Sequence, residues 1–250
     1  MAAGGVVAFL GPLSNSVRDM LGASPHTVRV SSVALTQSEI VRTAVRMVDE
    51  VGLDRMSLRA LATRLGISAP TLYWHVRDKR HLLDLVAEQV MADLVPSQRR
   101  VPRPGEPLEA WLTEWAHQQR AAMLAHRDSA RVVAGNRPTE GALDGIEQTL
   151  GVLVDAGLEP GEAVRVLTAI GSFVIGDTLE TQASAERSPD GDKARSASWM
   201  DRYPLLARAA QSLGADDDRF AEGLALLMDG LRARIEQRQP ACRGSGKGAQ

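Results

Sequence analysis

From Thr36 to about residue 94, apolar residues recur at helical rather than alternating spacing. Ile40, Val41, Ala44, Val45 and Val48 sit at i, i+1, i+4, i+5 and i+8 behind Thr36-Gln-Ser-Glu39, whose spacing is that of a capping box. That pattern predicts a first helix ending at Gly52, the usual C-terminal signal. Ser57 can cap a short second helix carrying Leu58, Leu61, Ala62 and Leu65, stopped by Gly66. Ser68 can cap a third, with Pro70 in the first turn, where a missing N–H costs nothing. Asp78 can cap a fourth, Lys79 to about Leu94, with Leu82, Leu83, Val86 and Val90 on one face. The break at Pro96 and three prolines between Arg99 and Pro107 predict a domain boundary there.

Helical spacing resumes beyond it. Leu108 to Leu124 carries Trp111, Leu112, Trp115, Ala122 and Met123, and Thr139 to Asp155 is followed by Gly157 and Pro160. Gly161 to about Thr181 is apolar on nearly every face and is expected to be buried on all sides. Ala183 to Tyr203 reads as a long mobile loop. Arg219 to Gln237 places Phe220, Leu224, Leu227, Met228, Leu231 and Ile235 in one stripe. No segment alternates with period two and none repeats, so the fold class is all-α. The expected organisation is a flexible extension over 1–34, a first domain over 35–95, a second over 96–238 and a disordered tail over 239–250.

Composition narrows the function without naming it. The 250 residues are 44% hydrophobic and 24% charged with a net charge of −2, the profile of an ordinary globular chain. The single cysteine, Cys242, rules out an internal disulfide framework and fits a reducing compartment, so a cytoplasmic location is expected. No run approaches the 18 or so apolar residues that span a bilayer, and Val6 to Leu10 lacks the basic flank of a secretory signal. No membrane partner is expected.

Local charge is more informative. Between Arg55 and His81 there are six cations (Arg55, Arg59, Arg64, Arg77, Lys79, Arg80) against Asp78, while residues 96–250 carry 19 basic and 22 acidic residues. A basic segment on a nearly neutral chain is the footprint of phosphate contact, although a solvated charged face would look similar. The third helix decides between them. Thr71-Leu-Tyr-Trp-His75 packs two aromatics, a threonine and an imidazole into five residues. With Leu72 facing inward, Tyr73, Trp74 and His75 are left partly outward, where they can touch phosphates and thymine methyls. Two short helices joined by a Gly-containing turn and braced on either side make a helix-turn-helix, whose second helix enters a major groove.

Leu58 to Asp84, with Gly66-Ile-Ser-Ala-Pro-Thr-Leu-Tyr-Trp-His75 at its centre, resembles the DNA-binding domain of the TetR family in its tetracycline-repressor branch. His126-Arg-Asp128, Gly135-Asn-Arg-Pro-Thr-Glu140, the run Gly171, Phe173, Gly176, Leu179, Glu180, and Pro204-Leu-Leu206 extend the likeness to about residues 36–238. The resemblance implies an N-terminal three-helix helix-turn-helix domain followed by a helical ligand-binding and dimerisation domain. It implies base contacts from Arg59, Pro70 and Tyr73, and phosphate contacts from Ser57, Thr71, Trp74, His75 and Lys79. The family's branch has a glutamine where this chain has Ala69, and alanine cannot make a bidentate adenine contact, so a different operator is expected.

In that branch the inducer enters as a magnesium chelate, held by a pocket histidine and, through water, by a carboxylate. This chain keeps the carboxylate as Glu180 and the entrance pair Arg137-Pro138, beside Asn136, but has Val133 where the histidine would be. Val95, Trp115, Gln119 and Thr149 stand for other ligand contacts of the branch. Valine offers a divalent cation no donor, so the expectation is a pocket without metal or other cofactor. The resemblance lines it with Trp115, Val133, Ile146, Val164, Leu167 and Ile170, which suits a hydrophobic, aromatic or polyketide-like effector; each could equally be plain core.

The function expected is a homodimeric transcriptional repressor, released from a palindromic double-stranded operator by a small molecule. The helices Gly161–Thr181 and Arg219–Gln237 are the candidates for a four-helix dimer bundle, though a stripe alone could face its own chain. The rival within the fold is a ligand-independent activator or architectural DNA binder. The sequence contains no Gly-rich phosphate loop, paired catalytic carboxylates or nucleophile–base set, so no enzyme is expected.

Overall fold

The computed structural model describes residues 35–94, 100–185, 202–212 and 216–238, and every regular element in them is an α-helix. In chain order these are α1 Gln37–Val51, α2 Leu58–Leu65, α3 Ala69–Tyr73, α4 Lys79–Leu94, α5 Leu108–Leu124, α6 Ser129–Ala134, α7 Glu140–Asp155, α8 Pro160–Ala185, α9 Pro204–Ser212 and α10 Asp216–Arg238. The expected extension, Val95, Pro96, most of the 183–203 loop and the tail with Cys242 lie outside the described residues.

Local chemistry starts and stops the first four helices. Thr36 and Glu39 form a reciprocal capping box, with Glu39 N donating to Thr36 Oγ1 and Thr36 N to Glu39 Oε2. Ser57 Oγ accepts from Ala60 N, Ser68 Oγ from Thr71 N, and Asp78 Oδ1 from His81 N. Gly66 ends α2 at φ 68, a left-handed conformation that turns the chain sharply into α3.

Ile40, Ala44, Leu61, Leu72, Val76 and Leu82 are buried together, so α1–α4 close a small core. α4 belongs to that core and to the next: it packs on α1 on one side and on α5 and α6 on the other. α5 and α8 form the centre of the second core, flanked by α6, α7 and α10. An ionic and aromatic knot joins three of these helices. Arg120 on α5 is almost buried and donates to Asp177 on α8 and Asp217 on α10, both at 2.6 Å, while its guanidinium lies over Phe220. Phe220 stacks on Phe173, and a Cβ on Gly223 would come within 2.7 Å of the Phe173 ring, so glycine there sets how closely α10 approaches α8.

Two expectations are corrected, and one left open is decided. α8 is not buried on all sides: Arg165, Ala169, Ser172, Gly176 and Glu180 form an exposed face. Its near-uniform apolarity comes partly from small residues that a single chain leaves uncovered. The stripe on α10 faces its own chain, with Phe220, Leu224, Met228 and Leu231 buried against α5 and α8. What α10 leaves outward is Ala221, Ala225, Leu226 and Gly230. Finally, α6 and α9 were not anticipated, being too short for periodicity to announce, and residues 183–185 continue α8 instead of opening a loop.

The N-terminal helices are clasped to the rest at the end of α1. Asp49 Oδ2 meets His126 Nδ1 at 2.9 Å and its Oδ1 accepts from Arg127 N. Asp128 Oδ2 accepts from Leu53 N at 2.8 Å, and Arg131 bridges Asp54 and Asp128. Gly52 sits inside this clasp at φ 82, where an added Cβ would lie 3.2 Å from Asp128 Oδ2. Gly52→Ala is therefore expected to cost about 1–3 kcal/mol and to lower the melting temperature by several degrees, read by calorimetry. An unchanged melting temperature would show that the clasp tolerates a side chain at this position.

Candidate nucleic-acid interface and effector site

α2 and α3 meet through Gly66-Ile67-Ser68, where Gly66 N donates to Thr63 O and Ile67 N to Ala62 O. Leu72 anchors α3 in the core at 1% exposure, and the two aromatics that follow are turned out, Tyr73 at 55% and Trp74 at 88%. An indole that exposed, beside a buried leucine on a helix of five residues, is apolar surface with no partner in its own chain. Arg59, Pro70 and Thr71 are also exposed, and His75 is half-buried. Gln37 Nε2 donates to the His75 carbonyl, pinning the end of the recognition segment to the first turn of α1.

Three of the expected contacts have a second engagement. Ser57 and Thr71 carry hydroxyls within reach of their own caps, Thr71 Oγ1 lying 2.8 Å from Ser68 Oγ. Lys79 Nζ donates to Met56 O at 2.7 Å, which fixes the amine at the start of α4 and leaves two of its donors for a phosphate. Arg64 leaves the basic surface altogether. It forms a two-pronged pair with Glu50, each bond 2.6 Å, which raises the arginine and lowers the carboxylate from their usual ranges.

The residues expected around the effector divide by environment. Trp115, Gln119, Val133, Asn136, Ile146, Thr149, Leu167 and Ile170 are buried, and Val164 and Pro138 are half-buried. Trp115, Val133, Ile146, Leu167 and Ile170 belong to one continuous apolar core. Arg137 and Glu180 are exposed. Thr149 turns its hydroxyl back to Gly145 O. The amides of Gln119 and Asn136 are different: at 0% and 1% exposure, neither the oxygen nor the nitrogen of either side chain has a hydrogen-bond partner among the described residues. Leaving a buried polar group unpaired costs about 1–3 kcal/mol, so two such amides in an apolar body need an explanation.

The loop carrying Asn136, Arg137 and Pro138 is tied directly to α4. Asp84 Oδ1 accepts from Arg137 N at 3.0 Å and pairs with Arg80. Glu88 takes both Thr139 N, at 2.6 Å, and Thr139 Oγ1, at 2.9 Å. Sequence reasoning missed these two carboxylates, whose signal was acids at i, i+4 within a helix otherwise buried on that side. Beside them opens a polar cleft of about 1040 Å³, lined by Gln37, Arg77, His81, Arg137 and Pro138 among others. It is the mouth between the N-terminal helices and the body, and shares only Arg137 and Pro138 with the expected effector contacts. A smaller groove of about 280 Å³ runs between α8 and α10 past Ala169, Ile170, Leu227 and Gly230.

An exposed aromatic recognition segment on a basic helix-turn-helix, joined through one shared helix to an apolar helical body, defines a two-part DNA-binding regulator. The chain belongs to the TetR family: residues 40–86 match the model described as "Bacterial regulatory proteins, tetR family", and residues 101–235 match "Tetracyclin repressor-like, C-terminal domain". It is 37% identical over 202 residues to the tetracycline repressor protein class A from transposon 1721 of Escherichia coli, covering 80% of this chain and 92% of the relative. Among solved structures it resembles the class A TetR in complex with 5a,6-anhydrotetracycline and magnesium, at 34% identity and a TM-score of 0.60 over 82% of this chain and 100% of the other. It also resembles the Streptomyces coelicolor TetR family protein ActR in complex with actinorhodin, at 30% identity and a TM-score of 0.69 over 80% and 98%.

The residues here do not fit a chelated magnesium. Val133 is a buried hydrocarbon, Glu180 is exposed, and no group of three His, Cys, Asp or Glu side chains gathers as ligands among the described residues. The clearest titratable feature is Glu88, whose carboxyl is pushed above its ordinary value chiefly by burial, against the two bonds from Thr139 that lower it. The folded chain thus holds that proton more tightly than the unfolded chain does. Its contribution to stability is complete in acid and is lost as pH rises from about 4.5 through the folded-state value. Melting temperatures across that range should show wild type losing ground to Glu88→Gln with rising pH; a constant difference would mean that Glu88 does not titrate there.

Proposed function

We propose that this chain is a ligand-responsive repressor of transcription that binds its operator as a homodimer and leaves it when a hydrophobic small molecule enters the body. The outward Tyr73 at the end of α3 and Trp74 just after it carry the DNA-binding part. Tyr73, Pro70 and Arg59 read base edges, and Ser57, Thr71, Trp74, His75 and Lys79 hold the backbone. We divide the chain near residue 96, α4 ending the DNA-binding domain and α5 opening the effector and dimerisation domain.

The dimer uses the faces that a single chain leaves bare: Ala169, Ser172 and Gly176 on α8, and Ala221, Ala225, Leu226 and Gly230 on α10, with Leu226 at 75% exposure. Small residues let helices approach closely, and two copies of the pair make a four-helix bundle with two reading heads for a palindrome. Relatives crystallised with anhydrotetracycline and with actinorhodin support a flat polycyclic effector. Trp115, Val133, Ile146, Thr149, Val164, Leu167 and Ile170 surround it, with Gln119 and Asn136 as polar anchors and Arg137, Pro138 and Glu180 towards the entrance. No magnesium is part of the complex.

The response runs through α4. An effector that displaces the 135–139 loop moves Asp84 and Glu88, and hence the helix whose first residue, Lys79, is bonded to Met56 O just before α2. The separation of the heads then no longer matches two successive major grooves, and a ligand that prefers that state lowers operator affinity. The regulator does no chemistry on its ligand and works in the cytoplasm, where DNA is; no helix among the described residues is long and apolar enough to cross a membrane.

Tyr73→Ala should abolish sequence-selective operator protection in footprinting, leaving weak salt-dependent DNA binding, with dimer mass and effector affinity unchanged. Protection of the same operator by the variant would show that α3 is not the reading element. Retention of the operator by wild type across a broad set of polycyclic compounds would instead favour a ligand-independent DNA binder of this fold.

A further inference from the structure

Gln119 is a fully buried amide in a body whose core is mainly hydrocarbon. It follows Trp115 by one turn on the same side of α5, and both are buried. Its amide presents one acceptor and two donors, all shut from solvent and unbonded within the described chain. The adjacent cation is already neutralised, Arg120 Nε and Nη1 pairing with Asp177 and Asp217 while Nη2 stays buried and unbonded, and the one carboxylate expected at the site, Glu180, is exposed. The partner that completes such an amide is therefore uncharged. It must offer an acceptor and a donor side by side, so that the amide N–H groups and carbonyl are both used, and must be flat and apolar elsewhere to lie against the Trp115 face.

We infer that Gln119 selects the effector: it admits uncharged flat molecules whose edge carries a carbonyl next to a hydroxyl, and discriminates against the same skeleton without that edge. This rests on the effector role proposed above for the body. A hydroxy-ketone edge pairs with the amide in either orientation of its oxygen and nitrogen, so the selection does not depend on which way the amide is turned. Asn136, equally buried and equally unbonded, is a second such amide, two residues beyond α6.

The test uses the full chain with two neutral probes, 3-hydroxyflavone and flavone, which differ only in the hydroxyl beside the ketone. Binding is read by quenching of tryptophan fluorescence, for wild type, Gln119→Leu and the shape-matched Gln119→Met. Wild type should prefer 3-hydroxyflavone by about ten-fold or more, equivalent to about 1.4 kcal/mol, and both variants should lose that preference while binding flavone as well or better. Unliganded Gln119→Met should melt higher than wild type, because an unpaired amide has gone. Equal binding of both probes by all three proteins overturns the inference and leaves the effector reading standing. Binding of neither probe by wild type, or a lower melting temperature for Gln119→Met, also overturns it. Only if the operator is held through the whole polycyclic set as well does the effector reading fall too.

Discussion

Two buried carboxylates on one helix set the relation between the halves of this molecule. Asp84 and Glu88 lie one turn apart on α4, and both accept backbone N–H groups from the loop that leads into α7. The N–H groups of Arg137 and Thr139 would otherwise be unpaired at a part-buried joint, and a buried carboxylate without donors would be costlier still. Each side therefore needs the other. Because the same helix completes the core beneath α3, the position of the recognition segment depends on where this loop sits.

A second set of contacts holds the opposite end of the N-terminal helices. Asp49, Asp54 and the Leu53 N–H engage His126, Arg127, Arg131 and Asp128, and Asp128 does so from a left-handed backbone conformation, φ 56, that only a few per cent of non-glycine residues adopt. That backbone conformation stores local strain, and the bonds around Asp128 hold it in place.

The body makes a different compromise. Most of its buried side chains are hydrocarbon, Trp111, Leu112, Trp115 and Leu167 among them, and Arg120 and Phe220 sew α10 to them. Within that packing, two unbonded amides are a local loss of stability that an apolar side chain of the same volume would remove. Such a loss is understandable where specificity for a bound molecule is the return, because a site that hydrogen-bonds its ligand rejects analogues more sharply than hydrocarbon can.

The first four helices and their limits were legible in the chain because they are written in local chemistry. Thr36, Ser57, Ser68 and Asp78 start them and Gly52 and Gly66 end two of them, interactions between residues three or four apart that need no tertiary partner. The outward pair Tyr73 and Trp74 was legible for a related reason, since a five-residue helix anchored by Leu72 has one side to bury. Other features depended on residues far apart in sequence. Nothing local says that the stripe of α10 turns toward its own α5 and α8, that Arg64 is claimed by Glu50, or that Glu88 holds Thr139 fifty-one positions away. Periodicity reports which face is apolar; only packing decides what that face meets, and whether a polar group buried on the way finds a partner or, like Gln119, is left without one.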